Sequence, residues 1–412
     1  MAAAPPGPGC DGPPASTVGL VLPGGGARAA YQVGVLKAIA ELLPAERNPF
    51  PIIVGTSAGA VAATVLAAEA FRWQRAVAAL ETVWADFHVA DVFKVDATSM
   101  LRSGLQWLLA LISGGFLLPP PLALFDNSPL RHLLERNIEW RHLQRSIRGG
   151  HLRALALCAT GYRSAASVAF FESAEGAAPW QRQQRVGQSA QLDLDHLMAS
   201  LGVPFLFPPV RIGNEYYGDG AQRQLWPLSP AIHLGADRLL VIGVRSELAS
   251  GIPRRRAEVS PPAPGELFGY MLDTLFMDQV YANIEHVRRL NQIVDAAPEA
   301  VPDLHKVSTL MIAPSADLQA IAARHYLSLP RGLRALLRVM GVHGSGGAQL
   351  ASYLMFETGF TRELIALGYQ DALRQQTVLV NFLTDRPLDA TTMLPALRVA
   401  DASSRVTDSS LG

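Results

Sequence analysis

Cysteine is nearly absent. Only Cys10 and Cys158 occur in 412 residues, and Cys10 sits in a Pro/Gly-rich opening stretch, so neither a disulfide framework nor a Cys-based zinc site is available. A reducing, cytoplasmic setting is the expectation that follows. Neither sign of charge is in excess, because 35 Lys and Arg balance 35 Asp and Glu. That balance leaves no basic field to hold a nucleic-acid backbone, and nucleic acid is excluded as an expected partner. Charged residues are scarce at 17%, against about 25% in an average chain, while 49% are hydrophobic. A disordered, solvated chain is thereby excluded, and a large buried core is expected.

Long apolar runs are missing as well. The nearest candidate is Ser103 to Phe125, 23 residues without a charge, but Gly114-Gly115 and Pro119-Pro120-Pro121 interrupt it. It fits a buried or cap helix, with an interfacial contact as the alternative, better than a bilayer span. The opening MAAAPPGPGCDGPPAS has neither a basic region nor an apolar stretch, so no secretory signal is expected there. We read residues 1–16 as a flexible leader and 385–412 as a flexible tail.

What is present is a repeated strand, glycine turn and helix. Thr17 to Leu22 is an apolar β-rich run that stops at Pro23-Gly24-Gly25-Gly26, and Ala27 to Leu43 then carries Val33, Leu36, Ile39 and Leu43 at helical spacing. Pro51 to Val54 repeats the unit, ending at Gly55-Thr56-Ser57-Ala58-Gly59 before an Ala-rich helix. Two such units in succession predict a parallel sheet covered by helices. Further strands are expected at Leu152–Thr160, Ser167–Phe171, Glu215–Gly218 and Arg238–Val244. The α/β part spans 17–245. Residues 246–265 read as a linker or loop, and 266–384 as a mostly helical C-terminal extension. Within that extension, Glu266–Asp295 reads as one long amphipathic helix and Val307–Ile312 as a last strand.

The chemistry concentrates at three places. Gly55-Thr56-Ser57-Ala58-Gly59 is a G-x-S-x-G sequence at a strand-to-helix turn, where the flanking Gly55 and Gly59 permit a turn that presents Ser57 as a nucleophile candidate. An ordinary glycine-rich turn is the bland alternative. An acyl-transfer nucleophile needs donors for an oxyanion, and Gly24, Gly25 and Gly26 offer side-chain-free amides at another helix start. Their alternative is a phosphate loop, which lacks the G-K-[ST] of a nucleotide site and has Ala29 at the last glycine position of G-x-G-x-x-G. An α/β-hydrolase fits poorly, since only one or two strands precede Ser57. The ten histidines are scattered, with no H-E-x-x-H. A carboxylate is left as the base, and Asp219 in Gly218-Asp219-Gly220-Ala221 is the best placed, although an Asp between glycines is often only a turn former.

Taken together, Gly24-Gly25-Gly26-Ala27-Arg28, Gly55-Thr56-Ser57-Ala58-Gly59 and Asp219-Gly220-Ala221 resemble the glycine-rich loop, nucleophile elbow and aspartate motif of the patatin-like phospholipase family, in order and in spacing. The resemblance covers about Thr17 to Val244, with Ala29 standing where the family usually has glycine after the motif arginine. It implies a three-layer α/β/α patatin-like fold with a mainly parallel sheet. It further implies a histidine-free Ser57–Asp219 dyad, an oxyanion hole at Gly24 to Gly26, and hydrolysis of phospholipid or lysophospholipid esters through an acyl-enzyme. Arg28 becomes either a lipid-phosphate contact or a brace for its own loop. No metal or organic cofactor is implied. The competing functions are a lipid-binding or regulatory protein with little turnover, and a general serine esterase or peptidase on soluble substrates. For peripheral membrane contact, the basic amphipathic run with Arg331, Arg334 and Arg338 is the second candidate beside the charge-poor segment, and a helix packed on the domain is its alternative.

Overall fold

The computed structural model describes residues 16–43, 48–94, 109, 112, 122–174, 177–246, 261–342 and 344–384. Most of the expected leader, tail, 246–265 linker and Ser103–Phe125 segment lies outside the described residues. Of that last segment, Leu109, Ile112 and Leu122 are exposed, whereas Phe125 is buried and stacks on Phe93 at 4.2 Å between ring centres.

The apolar runs that end in glycine become strands, and the helical repeats cover them. In chain order these are β1 (Val18–Leu22), a 3₁₀ turn (Gly26–Ala29), α1 (Ala30–Leu42), β2 (Ile52–Thr56), α2 (Ala58–Ala68), α3 (Trp73–Ala85) and α4 (Val89–Val92). Next come α5 (Ser128–Asn137), α6 (Trp140–Arg148), β3 (Ala154–Gly161), β4 (Ser167–Ser173), β5 (Trp180–Arg182), β6 (Arg185–Ser189) and α7 (Leu194–Ser200). The α/β part closes with β7 (Val210–Ile212), β8 (Glu215–Asp219), α8 (Ser229–His233) and β9 (Arg238–Ile242). The C-terminal region holds α9 (Pro264–Asp273), a π turn (Thr274–Asp278), α10 (Gln279–Ala296) and β10 (Ser308–Ile312). It ends with α11 (Leu318–His325), α12 (Arg331–Val339), α13 (Gly344–Leu354), α14 (Thr358–Arg374) and α15 (Gln376–Thr384).

One sheet runs β10-β9-β1-β2-β3-β4-β6-β5, with β8 on β3 and β7 on β8. It is parallel from β10 through β3, and β4 is antiparallel to β3. Every residue of β1, β2, β3 and β9 is buried, as expected of parallel strands covered on both faces. The short strands β5, β6 and β7 went unanticipated. Their residues are largely half-buried or exposed, so no apolar run marks them.

The C-terminal region is tied into the same core. Its strand β10 extends the sheet in register with β9, Ser308 opposite Arg238, as the VSTLMI run leads one to expect. Helix α14 crosses α1 so closely that a Cβ on Gly34 would strike the Ile365 carbonyl and one on Gly368 the Tyr31 carbonyl. The amphipathic stretch over Glu266–Asp295 is helical throughout but contains the π turn, which shifts the register between α9 and α10. In α12, Leu333 and Leu337 are fully buried and join the core, while Leu336 and Met340 are half-buried and Val339 is exposed. Among the described residues no helix is long and apolar enough to cross a membrane.

Candidate active site

Register brings two of the motifs together. Strand β2 runs parallel to β3 and ends with Thr56 opposite Cys158. Strand β8 runs antiparallel to β3 and ends with Asp219 opposite Ala159. The other edge of β3 is occupied by β4 from Ala154 to Thr160, so β2 and β8 share the remaining edge and meet head to head. Ser57 and Asp219, 162 positions apart in sequence, leave their strands at that meeting point.

The turn at Ser57 is sharp. Its φ of 52° and ψ of −132° place a non-glycine residue in the left-handed half of backbone space, a strained conformation of the kind found at functional sites. Small neighbours make the turn possible: a Cβ on Gly55 would sit 2.5 Å from Ala60 Cα, and one on Gly59 would collide with the Leu22 carbonyl. The Ser57 N–H donates to Ser200 Oγ at 3.0 Å, and Ser200 Oγ donates in turn to the Cys158 carbonyl at 2.7 Å. The elbow is thus fastened to β3 through α7.

Asp219 is 2% exposed. Its Oδ1 accepts the Ala221 N–H at 2.9 Å, while Oδ2 is buried with no hydrogen-bond partner. Burial raises its pKa from 3.8 to about 7, opposed by the nearby Ser57 hydroxyl and the Ala221 amide. Oδ2 accepts no hydrogen bond, and the Ser57 hydroxyl lies near enough to favour the charged form of the carboxyl. A carboxyl poised near neutrality is suited to accept and return a proton at physiological pH.

The third motif lies against the first. A Cβ on Gly24 would stand 2.8 Å from Ser57 Cβ and 2.5 Å from the Phe276 ring, so only glycine lets the loop approach the serine. Gly26 has φ 53° and its missing Cβ would strike the Tyr353 carbonyl. The start of the loop is held by Gln32, whose Nε2 donates to the Pro23 and Ile242 carbonyls at 2.9 and 3.1 Å. Arg28 is 1% exposed and turned away from solvent. It donates to Asp273 at 2.7 Å, Ser352 at 2.8 Å and the Tyr353 hydroxyl at 3.1 Å, with the Tyr353 ring 3.9 Å beneath it.

An apolar pocket with Ser57 in its wall lies between α2, α3 and α5. Val61, Val65, Leu80, Trp84, Leu134 and Phe276 are among its walls, and nearly all the surface it presents is carbon. A second apolar groove, with Phe205, Met271 and Met340 on its sides, shares Leu206 and Leu354 with the first. Among the described residues no group of His, Cys, Asp and Glu is placed to hold a metal ion. Sequence reasoning missed Ser200, Gln32, Asp273, Tyr353 and Phe276, none of which lies in a recognisable motif. A further omission was Gln224, which accepts from Thr56 Oγ1 at 2.8 Å and donates to Cys158 Sγ at 2.9 Å.

Comparison with known proteins agrees with this arrangement at the level of family. No curated protein matches in sequence. Among solved structures, human group IVD cytosolic phospholipase A2 in complex with methyl γ-linolenyl fluorophosphonate is similar at 14% identity and a TM-score of 0.40, over 90% of this chain and 59% of that one. This chain therefore spans less than two thirds of that protein. VipD from Legionella pneumophila is similar at 13% identity and a TM-score of 0.29, over 87% of this chain and 92% of that one. The family model for patatin-like phospholipases matches residues 20–232, just over half of the chain, and with that match the protein belongs to the patatin-like phospholipase family.

Proposed function

We propose that the chain is a lipid acyl hydrolase of the phospholipase A or lysophospholipase type, working through a Ser57–Asp219 dyad. The observation that carries the reading is a serine at a strained elbow, beside a buried carboxyl whose pKa lies at about 7, in the wall of a predominantly apolar pocket. Such a pocket accepts an acyl chain and offers a polar substrate almost nothing to bind.

In this mechanism the Ser57 hydroxyl attacks the ester carbonyl while its proton passes to Asp219. The oxyanion of the tetrahedral intermediate is held by amides of the Gly24 to Gly26 loop. Collapse expels the alcohol, which takes the proton from Asp219, and water then repeats the sequence on the acyl-enzyme to release the fatty acid. Arg28 acts as a brace for the loop, since its guanidinium is fully engaged within the protein. The lipid is proposed to approach from a membrane on the side of the second groove, where Phe205 and Met271 are exposed.

The test is hydrolysis of mixed phospholipid vesicles by wild type and Ser57→Ala, with the products identified by mass spectrometry. Release of fatty acid and lysophospholipid that depends on Ser57 is expected. Its absence from folded wild-type protein overturns the reading in favour of soluble esters or of lipid binding without turnover.

A further inference from the structure

The glycine loop is held only in part by the region that carries the three motifs, through Gln32 at its start. Its far side is formed by α9, the π turn and α13, all beyond residue 232, where the family match ends. Phe276 of the π turn fills the space a Gly24 side chain would need, and the Tyr353 carbonyl fills that of Gly26. Between these contacts lies a buried cluster of charge. Arg28 follows Gly26 by two residues, and its guanidinium meets Asp273 Oδ1 at 2.7 Å. The Tyr353 hydroxyl donates to the same oxygen and accepts from Arg28, while Gln349 donates to Asp273 Oδ2 at 2.6 Å. Ser352 accepts from Arg28 Nε at 2.8 Å and donates to the Gln349 carbonyl at 2.6 Å.

A buried ion pair is a poor device for stability alone, because desolvation offsets most of the attraction, and a well-packed apolar substitute often serves as well. Its geometry is specific, however. The Asp273 and Tyr353 partners fix both the direction and the depth of Arg28, and Arg28 lies in the turn that continues the glycine loop, whose Gly24 packs against Ser57. A shift of the turn by a fraction of an ångström would misdirect donors that act only on the developing oxyanion. Burial and the adjacent Asp273 keep the Tyr353 hydroxyl protonated, hence a donor at any pH the fold survives.

We infer that Asp273, assisted by Tyr353, is a positioning residue for the oxyanion loop, acting through Arg28, so that the C-terminal helices complete the active site of the proposed hydrolase. This rests on the Ser57–Asp219 reading and assigns the extension a part in turnover. A fault in the cluster should therefore weaken transition-state stabilisation and leave ground-state binding in the apolar pocket alone.

The experiment compares wild type, Ser57→Ala, Asp273→Asn and Tyr353→Phe on a soluble short-chain nitrophenyl ester, with two binding probes. An alkyl trifluoromethyl ketone, which forms a tetrahedral adduct on a serine, reports the oxyanion loop. A free fatty acid reports the pocket. In Asp273→Asn, kcat is expected to fall about 100-fold with KM nearly unchanged, ketone affinity to fall in proportion, and fatty-acid affinity to stay at the wild-type value. In Tyr353→Phe, which keeps the ring beneath Arg28, the same pattern is expected at about tenfold. Wild-type kcat in Asp273→Asn, with Ser57→Ala inactive, overturns the inference and leaves the hydrolase reading intact. Equal loss of both probes also overturns it, because the cluster then supports the pocket at large. Activity in Ser57→Ala overturns the underlying mechanism instead. Should Asp273→Asn fail to fold, Tyr353→Phe decides, and an unchanged kcat there rejects the inference.

Discussion

The two parts of the chain contribute to one site in opposite ways. Residues 18–242 carry the three short motifs proposed to supply the reacting groups, each at the end of a strand. Residues 264–384 supply no motif, yet Phe276, Tyr353 and Asp273 form the wall against which the glycine loop rests. Reacting atoms need particular elements at particular turns, so they leave a local signature. A supporting wall needs only the right shape and one or two matched polar groups in space, and many sequences provide that.

The sharpest way to break this comparison is to remove the reacting groups. Ser57→Ala and Asp219→Asn are each expected to lower turnover about 10⁴-fold or more while the fold melts as before or later, checked by fatty-acid release and calorimetry. Substantial activity in either would return the motif-bearing half to the status of a scaffold.

Next in size is the dependence on pH. Asp219 must be unprotonated to accept the serine proton, so kcat/KM should rise about tenfold per pH unit below about 7 and level off above it. A profile flat from pH 5 to pH 9 would remove Asp219 as the base. Stability should run the other way. The folded-state pKa is raised, so the native protein holds a proton that the unfolded chain has lost between about pH 4 and 7, and stability falls across that window. Asp219→Asn escapes this loss. Its melting temperature should exceed that of wild type at pH 8, by an amount corresponding to at most about 4 kcal/mol, with the advantage shrinking towards pH 4.

Smaller effects separate the pocket from the surface. Val65→Trp, which intrudes on the apolar pocket, should shift preference from long to short acyl chains by about tenfold without changing hydrolysis of a butyrate ester. Phe205→Glu, on the exposed face, should reduce activity on vesicles by a few-fold and leave soluble esters unaffected, and equal losses on both would place Phe205 in the site itself.

How much of this was legible in the sequence follows from the same distinction. The central strands and the three motifs were readable because buried strands are continuous apolar runs and the turns require glycine. Strands β5 to β7 were not, being short and half-exposed. Ser200, Gln32 and Asp273 were invisible for a deeper reason: a polar residue in a linear sequence reads as surface until its buried partner is known. The basic helix at Arg331 was open to two readings, a membrane contact and a helix packed on the domain. Its apolar spacing was correctly seen, and Leu333 and Leu337 use it to join the core.

Strand β3 has a consequence that extends past the catalytic proposal. Thr56, the residue before Ser57, and Asp219 stand opposite adjacent positions of a single strand edge, Cys158 and Ala159. The loops and helices between them do not enter into that spacing. Insertions or deletions in the connections between α3 and α5 can therefore reshape the apolar pocket while β3 keeps the two strand ends in place, whereas a one-residue slip of β8 against β3 would turn Asp219 to the opposite face. The scaffold lets the pocket diversify without moving the strand ends that carry the proposed dyad.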